Sequence, residues 1–297
     1  MKHKRSKILG VNVDFGLSMP LVIKKLDTLI KQGKGSYLVA TTNPFFVISA
    51  QEDKDFRKII NNAVLSLPDG IGILYGRFFL EEARKLKKSF MYSTKLFIKG
   101  IYCGLIGFLN KKVLGQTLTG VELSYALMQL ANDNKYTVFF LGGSPRDKTG
   151  NILHDSEVDI AQTAANNIMS LYPNICFIGA TSAYKRGPSD DNNTMNYIHD
   201  CMALYGVRHI DILLVAYNPV GQEKWIHRNA KSIPATISVG VGRTLNYMAG
   251  DVATPPKIYE NMHIAWLYAL MIEPWRFGRV FKTIIEYPLK VYKSALK

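Results

Sequence analysis

Apolar residues along this chain fall into two alternating patterns. Short, nearly continuous apolar runs at residues 37–41, 137–141, 175–178, 210–215 and 236–239 are bounded by Gly, Pro or Asn, and predict strands. Between them, residues 53–64, 121–132, 160–171 and 194–204 carry apolar residues at helical spacing and predict helices. Strands that are apolar on both faces and alternate with helices predict an α/β fold: a mostly parallel sheet with helices on both faces. No internal repeat at a fixed period is present.

Two stretches break this rhythm. Residues 78–112 are basic and then apolar, with Arg84, Lys85, Lys87 and Lys88 ahead of a run from Phe90 to Leu109, and read as an insertion. Residues 96–109 contain Lys99 and three glycines, short of the roughly 18–20 apolar residues a spanning helix needs. They suit a buried helix or a segment lying in a membrane interface. The tail from Asn261 mixes Trp266, Trp275, Phe277 and Phe281 with Arg276, Arg279, Lys282 and Lys290. Aromatics among cations suit a membrane surface; a helical pair docked on the core with a solvated basic face is the alternative.

Of 297 residues, 47% are hydrophobic and 20% charged, which excludes a disordered chain and permits a large core without disulfides. Three scattered cysteines, with no CxxC pair, form neither a disulfide framework nor a zinc site and fit a reducing cytoplasm. Residues 8–15 include Asn12 and Asp14, so the N-terminus has no signal-peptide core. The net charge of +14 points to nucleic acid, anionic lipid or phosphorylated small molecules. No RNP motif or zinc-finger spacing is present, so nucleic acid is not expected as a partner.

Parallel α/β sheets bind ligands beyond the carboxyl ends of their strands, which directs attention to five strand exits. Thr41-Thr42-Asn43-Pro44 can bond a sugar or cap a helix. Leu67-Pro68-Asp69-Gly70 holds a carboxylate in a tight turn, as a general base or simply as a turn-former. Gly142-Gly143-Ser144 can let a phosphate approach backbone N–H groups or serve tight turning alone. Gln222 and Glu223 open a helix after the run 211–215. Gly240 and Gly242 close the last strand. Asp53-Lys54-Asp55, the one DxD match, reads as a charged first helical turn, and the histidines lack ligand spacing, so no metal site is expected.

In their order along the chain, TTNP, LPDGIG, LTGVEL, FFLGGSP, DILLV with QEKWI, SVGVG and EPWRFGR resemble the WecG/TagA/CpsF family of bacterial glycosyltransferases (glycosyltransferase family 26). The resemblance implies a Rossmann-like core, residues 1–260, and a basic C-terminal helical appendage, residues 261–297, that reaches the membrane. It implies inverting, metal-independent transfer, with no cofactor, of an N-acetylmannosamine-like hexose from a UDP-sugar to a polyprenyl-diphosphate-linked acceptor for cell-surface polysaccharide. The enzyme would then lie at the inner face of the plasma membrane; a homo-oligomer is left open. By position, Asp69 matches the catalytic base. Thr42, Asn43, Gly70, Gly142, Gly143, Gln222, Glu223, Arg276 and Arg279 match substrate-binding positions. The chain departs from the family pattern at Thr117, where an Arg is usual, at Leu245-Asn246, at Thr254-Pro255-Pro256, and at Ala265 and Ala269. Lost cations leave open a degenerate relative that binds a nucleotide sugar in a regulatory or scaffolding role.

Overall fold

The computed structural model describes residues 3–145, 153, 158–252, 259 and 265–297. The 254–256 element, His154, His263 and residues 261–264 at the start of the tail lie outside them. Six parallel strands form the central sheet: β3 (Tyr37–Thr42), β4 (Leu65–Pro68), β5 (Thr137–Gly142), β6 (Cys176–Thr181), β7 (Ile210–Ala216) and β8 (Ala235–Gly240), in the order β4-β3-β8-β7-β5-β6. Each strand predicted from the apolar runs is present, with ends within one residue except that β6 runs three residues further than predicted; β4, which leads to Asp69, was not among those runs.

Alternation along the strands builds two cores. Val138 and Phe140 of β5 face α1 (Met19–Gln32), α7 (Gly120–Asn134) and α8 (Ile160–Leu171), while Phe139 and Leu141 face α9 (Asp191–Leu204) and α10 (Gly221–Asn229). Both faces are therefore covered, as period-two packing in a parallel sheet requires. The DxD pair resolves as expected: Asp53 caps α3 (Lys54–Asn61), accepting the Phe56 N–H at 2.9 Å, and pairs with Lys224 at 2.5 Å.

A hairpin the apolar pattern did not announce, β1 (Lys4–Ile8) and β2 (Val11–Phe15), closes the β4 edge. Fully buried Asp14 accepts two bonds from Arg5, at 2.8 and 2.6 Å, and one from the Ser66 N–H at 2.8 Å. The basic N-terminus thus spends one cation on edge protection.

A third core joins this hairpin to α2 (Pro44–Glu52), α4 (Ile71–Ala83), α5 (Tyr92–Leu109) and the C-terminal helix. A short α6 (Lys111–Leu114) follows α5, α11 (Thr244–Ala249) follows β8, and the tail comprises α12 (Ala265–Ile272), α13 (Phe277–Phe281), a π-helical turn (Lys282–Glu286) and α14 (Tyr287–Leu296). Tyr287 and Val291 of α14 are 2% exposed. The tail is packed into the body of the molecule at that point.

Candidate active site

β4 is buried along its whole length and delivers Asp69 to the carboxyl edge of the sheet. Two backbone bonds hold the turn: Leu118 N–H to the Pro68 carbonyl and Asp69 N–H to the Thr42 carbonyl, both 2.9 Å. Gly70 follows at φ +89°, a conformation costly for any side chain, and α4 starts beyond it. Asn43 takes the capping role its sequence allowed and also turns toward the candidate base. Its Oδ1 caps α2 by accepting the Phe46 N–H at 3.1 Å, and its side chain hydrogen-bonds the Asp69 carboxylate.

Burial pushes the half-buried Asp69 carboxyl up to about 6; Arg279 and the Asn43 hydrogen bond pull it down, and Glu122 adds to the rise. Desolvation therefore outweighs the neighbouring cation. Glu122 is held nearby by a capping box at the start of α7, where its carboxylate accepts the Thr119 N–H at 3.1 Å.

Arg279 comes from α13. Its guanidinium lies 5.1 Å from the centroid of the Phe45 ring and faces both Asp69 and Glu223. Burial, then the neighbouring Arg276, lower its pKa to about 10, so it stays cationic at neutral pH. Arg276 and Arg243 meet at Glu273, a carboxylate 3% exposed: Arg276 pairs with it at 3.0 Å and Arg243 contacts it through both terminal nitrogens. Arg243 follows the SVGVG motif and Glu273 opens EPWRFGR. Glu273 stood in a quoted motif and Arg243 directly beside one, yet neither reads as a site residue until the chain brings the two segments together.

Gln222 and Glu223 are buried at the start of α10. Gln222 Oε1 accepts the Gly242 N–H at 2.9 Å and its Nε2 donates to Glu223 at 2.7 Å. Glu223 also accepts the Val220 N–H at 2.8 Å. Burial raises the Glu223 carboxyl to about 7 against the opposing pull of Gln222, backbone N–H groups and Arg279. The loop before it is strained, with Asn218 at φ +67° and β-branched Val220 at φ +71°.

Gly240 makes room for this pair. A Cβ there would meet Glu223 Oε1 and lie 2.5 Å from Gln222 Nε2. Gly240→Ala is expected to lower stability by about 1–3 kcal/mol, seen as a fall in Tm, because neither side chain can withdraw without breaking its bonds. An unchanged Tm would show that the pair relocates freely.

Other predicted residues serve the frame. The Thr42 hydroxyl is fully buried, 2.7 Å from Ser66 Oγ, so it ties β3 to β4 while its carbonyl holds Asp69. Gly142 and Gly143 adopt φ +84° and +89°. A Cβ on Gly142 would lie 2.8 Å from the Tyr217 ring, and the Gly143 N–H is already bonded to the Ala216 carbonyl at 3.0 Å. The expectation that the amides of this turn grip a phosphate does not hold for Gly143, whose donor is spent. Asp69 and the glycine pair occupy the same sheet edge, four strand steps apart, or about 19 Å at ~4.8 Å per step. Asn43, the β8 exit and the Gln222–Glu223 turn lie between. Among the described residues, no group of three or more His, Cys, Asp or Glu side chains is arranged to hold a metal ion.

The sequence profile of the glycosyl transferase WecG/TagA/CpsF family matches residues 6–99 and 79–297, taking in all the strand exits and the tail arginines. The chain belongs to this family. The match to individual relatives runs along most of their length. An N-acetylglucosaminyldiphosphoundecaprenol N-acetyl-beta-D-mannosaminyltransferase of Staphylococcus aureus is 25% identical over 296 residues, 98% of this chain and 93% of its own length. Proteins of the same name from Bacillus subtilis and Bacillus spizizenii are each 23% identical, over 86% and 90% of this chain and 79% and 82% of their own lengths. The α/β fold of this glycosyltransferase is the parallel, doubly covered sheet that the apolar runs predict.

Proposed function

We propose that this glycosyltransferase moves an N-acetylmannosamine-type hexose from a UDP-sugar to a polyprenyl-diphosphate-linked N-acetylglucosamine, with inversion and without a metal, at the cytoplasmic face of the membrane. The observation that carries the reading is the placement of the Asp69 carboxyl at the carboxyl edge of the sheet with the tail's half-buried Arg279 beside it, in surroundings whose burial raises the carboxyl to about 6. A base works best when its pKa lies near the working pH.

In this reaction Asp69 takes the proton from an acceptor hydroxyl as that oxygen bonds to the anomeric carbon. The bond from that carbon to the β-phosphate oxygen breaks on the opposite face, and its electron pair leaves with UDP. The anomeric centre passes through an oxocarbenium-like state, as in glycoside hydrolysis. Arg279, with Arg276 and Arg243 held by Glu273, supplies the positive charge that a departing diphosphate needs. Asn43 orients the base; Gln222 and Glu223 shape the pocket wall.

UDP release from UDP-N-acetylmannosamine with a short-chain N-acetylglucosamine-diphosphate lipid tests the proposal, with UDP-N-acetylglucosamine as control donor and EDTA in a parallel series. EDTA-insensitive release that requires the acceptor, with a β-linked product, is the expected result. Donor-dependent thermal stabilisation without release would instead favour a nucleotide-sugar-binding relative, the reading that Thr117 supports by its missing cation.

A further inference from the structure

Helix α5 is built inside out. The face that packs on the protein is made of Leu96, Gly100, Cys103 and Gly107. A Cβ on Gly107 would lie 2.5 Å from the Tyr75 ring and 2.9 Å from Leu114, so only small residues fit there. The large residues point the other way: Phe97, Ile98, Ile101, Tyr102, Leu105 and Leu109 are 46–70% exposed along the helix. A helix apolar on both faces is stable only with both faces covered, and an exposed stripe of this size marks a docking surface.

The surrounding charge says what covers it. Residues 83–121 contain eight Lys or Arg and no Asp or Glu; Lys85 and Lys99 pair with Glu82 just ahead of the segment, and Arg84, Lys87, Lys88, Lys95, Lys111 and Lys112 leave it strongly basic. A second copy of the chain on this stripe would set like charges against each other, whereas an anionic lipid surface would neutralise them. Among the described residues no helix is long and apolar enough to cross a membrane. At about 1.5 Å per residue, the 18 residues of α5 give a rod of about 27 Å suited to lying in the headgroup plane.

The tail adds a second stripe, fixed to the first. Phe277, Phe281, Ile285 and Leu289, four residues apart, are exposed. Tyr92 Oη donates to the Ala295 carbonyl at 2.9 Å, Tyr292 Oη donates to the Ser93 carbonyl at 3.1 Å, and the Phe79 and Tyr292 rings stack at 6.3 Å. A cavity of about 390 Å³ beside this junction is lined by Lys7, Arg84, Lys88, Tyr92 and Ser294.

We propose that α5 is a membrane-docking helix whose outer apolar stripe enters an anionic phospholipid surface, flanked by the lysines of its own segment and braced by α14. The inference rests on the reading that the acceptor is lipid-linked, but its test does not require transfer.

The full chain is sedimented with vesicles of phosphatidylcholine alone and of phosphatidylcholine with 20% phosphatidylglycerol, and the variant F97S/I101S/L105S is compared with wild type and with Leu204→Ser, an exposed leucine on α9. Expected are salt-sensitive binding of wild type to the anionic vesicles, unchanged binding of Leu204→Ser, and at least about a tenfold loss of partition for the triple variant. Its circular dichroism and its UDP release with a water-soluble acceptor should match wild type. Wild-type partition by the triple variant would overturn the proposal. So would a dimer of wild type, abolished in the triple variant, in a protein that ignores vesicles. Failure of transfer with intact vesicle binding would sink the sugar-transfer reading alone.

Discussion

Asp69→Asn is expected to fold normally and to lose about 10²–10⁴-fold in kcat, the contribution of a positioned base. The substitution keeps the shape of the side chain, its backbone bond to Thr42 and an oxygen for Asn43 to donate to. It removes the proton acceptor and the negative charge beside Arg279. With the Asp69 carboxyl at about 6, wild-type kcat/KM should be level above that pH and fall roughly tenfold per unit below it, as protonation removes the base. The variant should lose this acid limb. Near-normal turnover with the limb intact would move the role to another group, and Glu223, at about 7, would be next to test.

The same substitution has a stability signature of opposite sign. A carboxyl raised in the folded state binds its proton more tightly there than in the unfolded chain. Folding stability is therefore lost as pH rises from the unfolded value near 3.8 to the folded value near 6, and the loss persists above it. Asp69→Asn escapes that cost. Its folding stability should exceed wild type at pH 7–8 by up to roughly 3 kcal/mol from the two-unit shift, read as a higher Tm, and match it below about pH 4. Lower stability at neutral pH would mean that Asp69 is held chiefly by ion pairing with Arg279.

Arg279→Gln is expected to cost about 10²–10³-fold in kcat, the scale of losing one preorganised charge-stabilising group. It should also shift the pH profile. Arg279 lowers the pKa of both Asp69 and Glu223, so its removal raises both and moves the acid limb above 6. A residue that merely braced the tail would lower Tm without moving that limb. Arg279→Lys should fall between the two, since it keeps the charge but loses the planar fork that lies over Phe45. A limb unchanged in Arg279→Gln would remove Arg279 from the base's environment.

The sequence by itself determined five of the six sheet strands, because strand and helix periods and caps are written within a few residues of each other: the run at β7, the Asn43 and Asp53 caps and the Asp69–Gly70 turn are all local, while four-residue β4 is too short to stand out as a run. It also marked the strand exits as the functional edge, because a parallel sheet puts every carboxyl end on one side. The hairpin on β4 escaped because its first strand, Lys4–Ile8, is polar except at Ile8 and its second is only five residues long, although Val11, Val13 and Phe15 alternate cleanly with Asn12 and Asp14; Asp14 is tolerable only once Arg5 and Ser66 meet it. Three further matters were decided only in three dimensions. Gly143 spends its amide on Ala216 because β5 and β7 are neighbours. Helix α5 is apolar all round, so its period could not say which face packs; the close approach of Tyr75 and Leu114 to Gly107 did. Arg279 reaches Asp69, and Glu273 gathers Arg243 with Arg276, because the tail folds back across α2 and α4. Charges so distant in sequence act on one another through space, and their distance is set by the path of the whole chain.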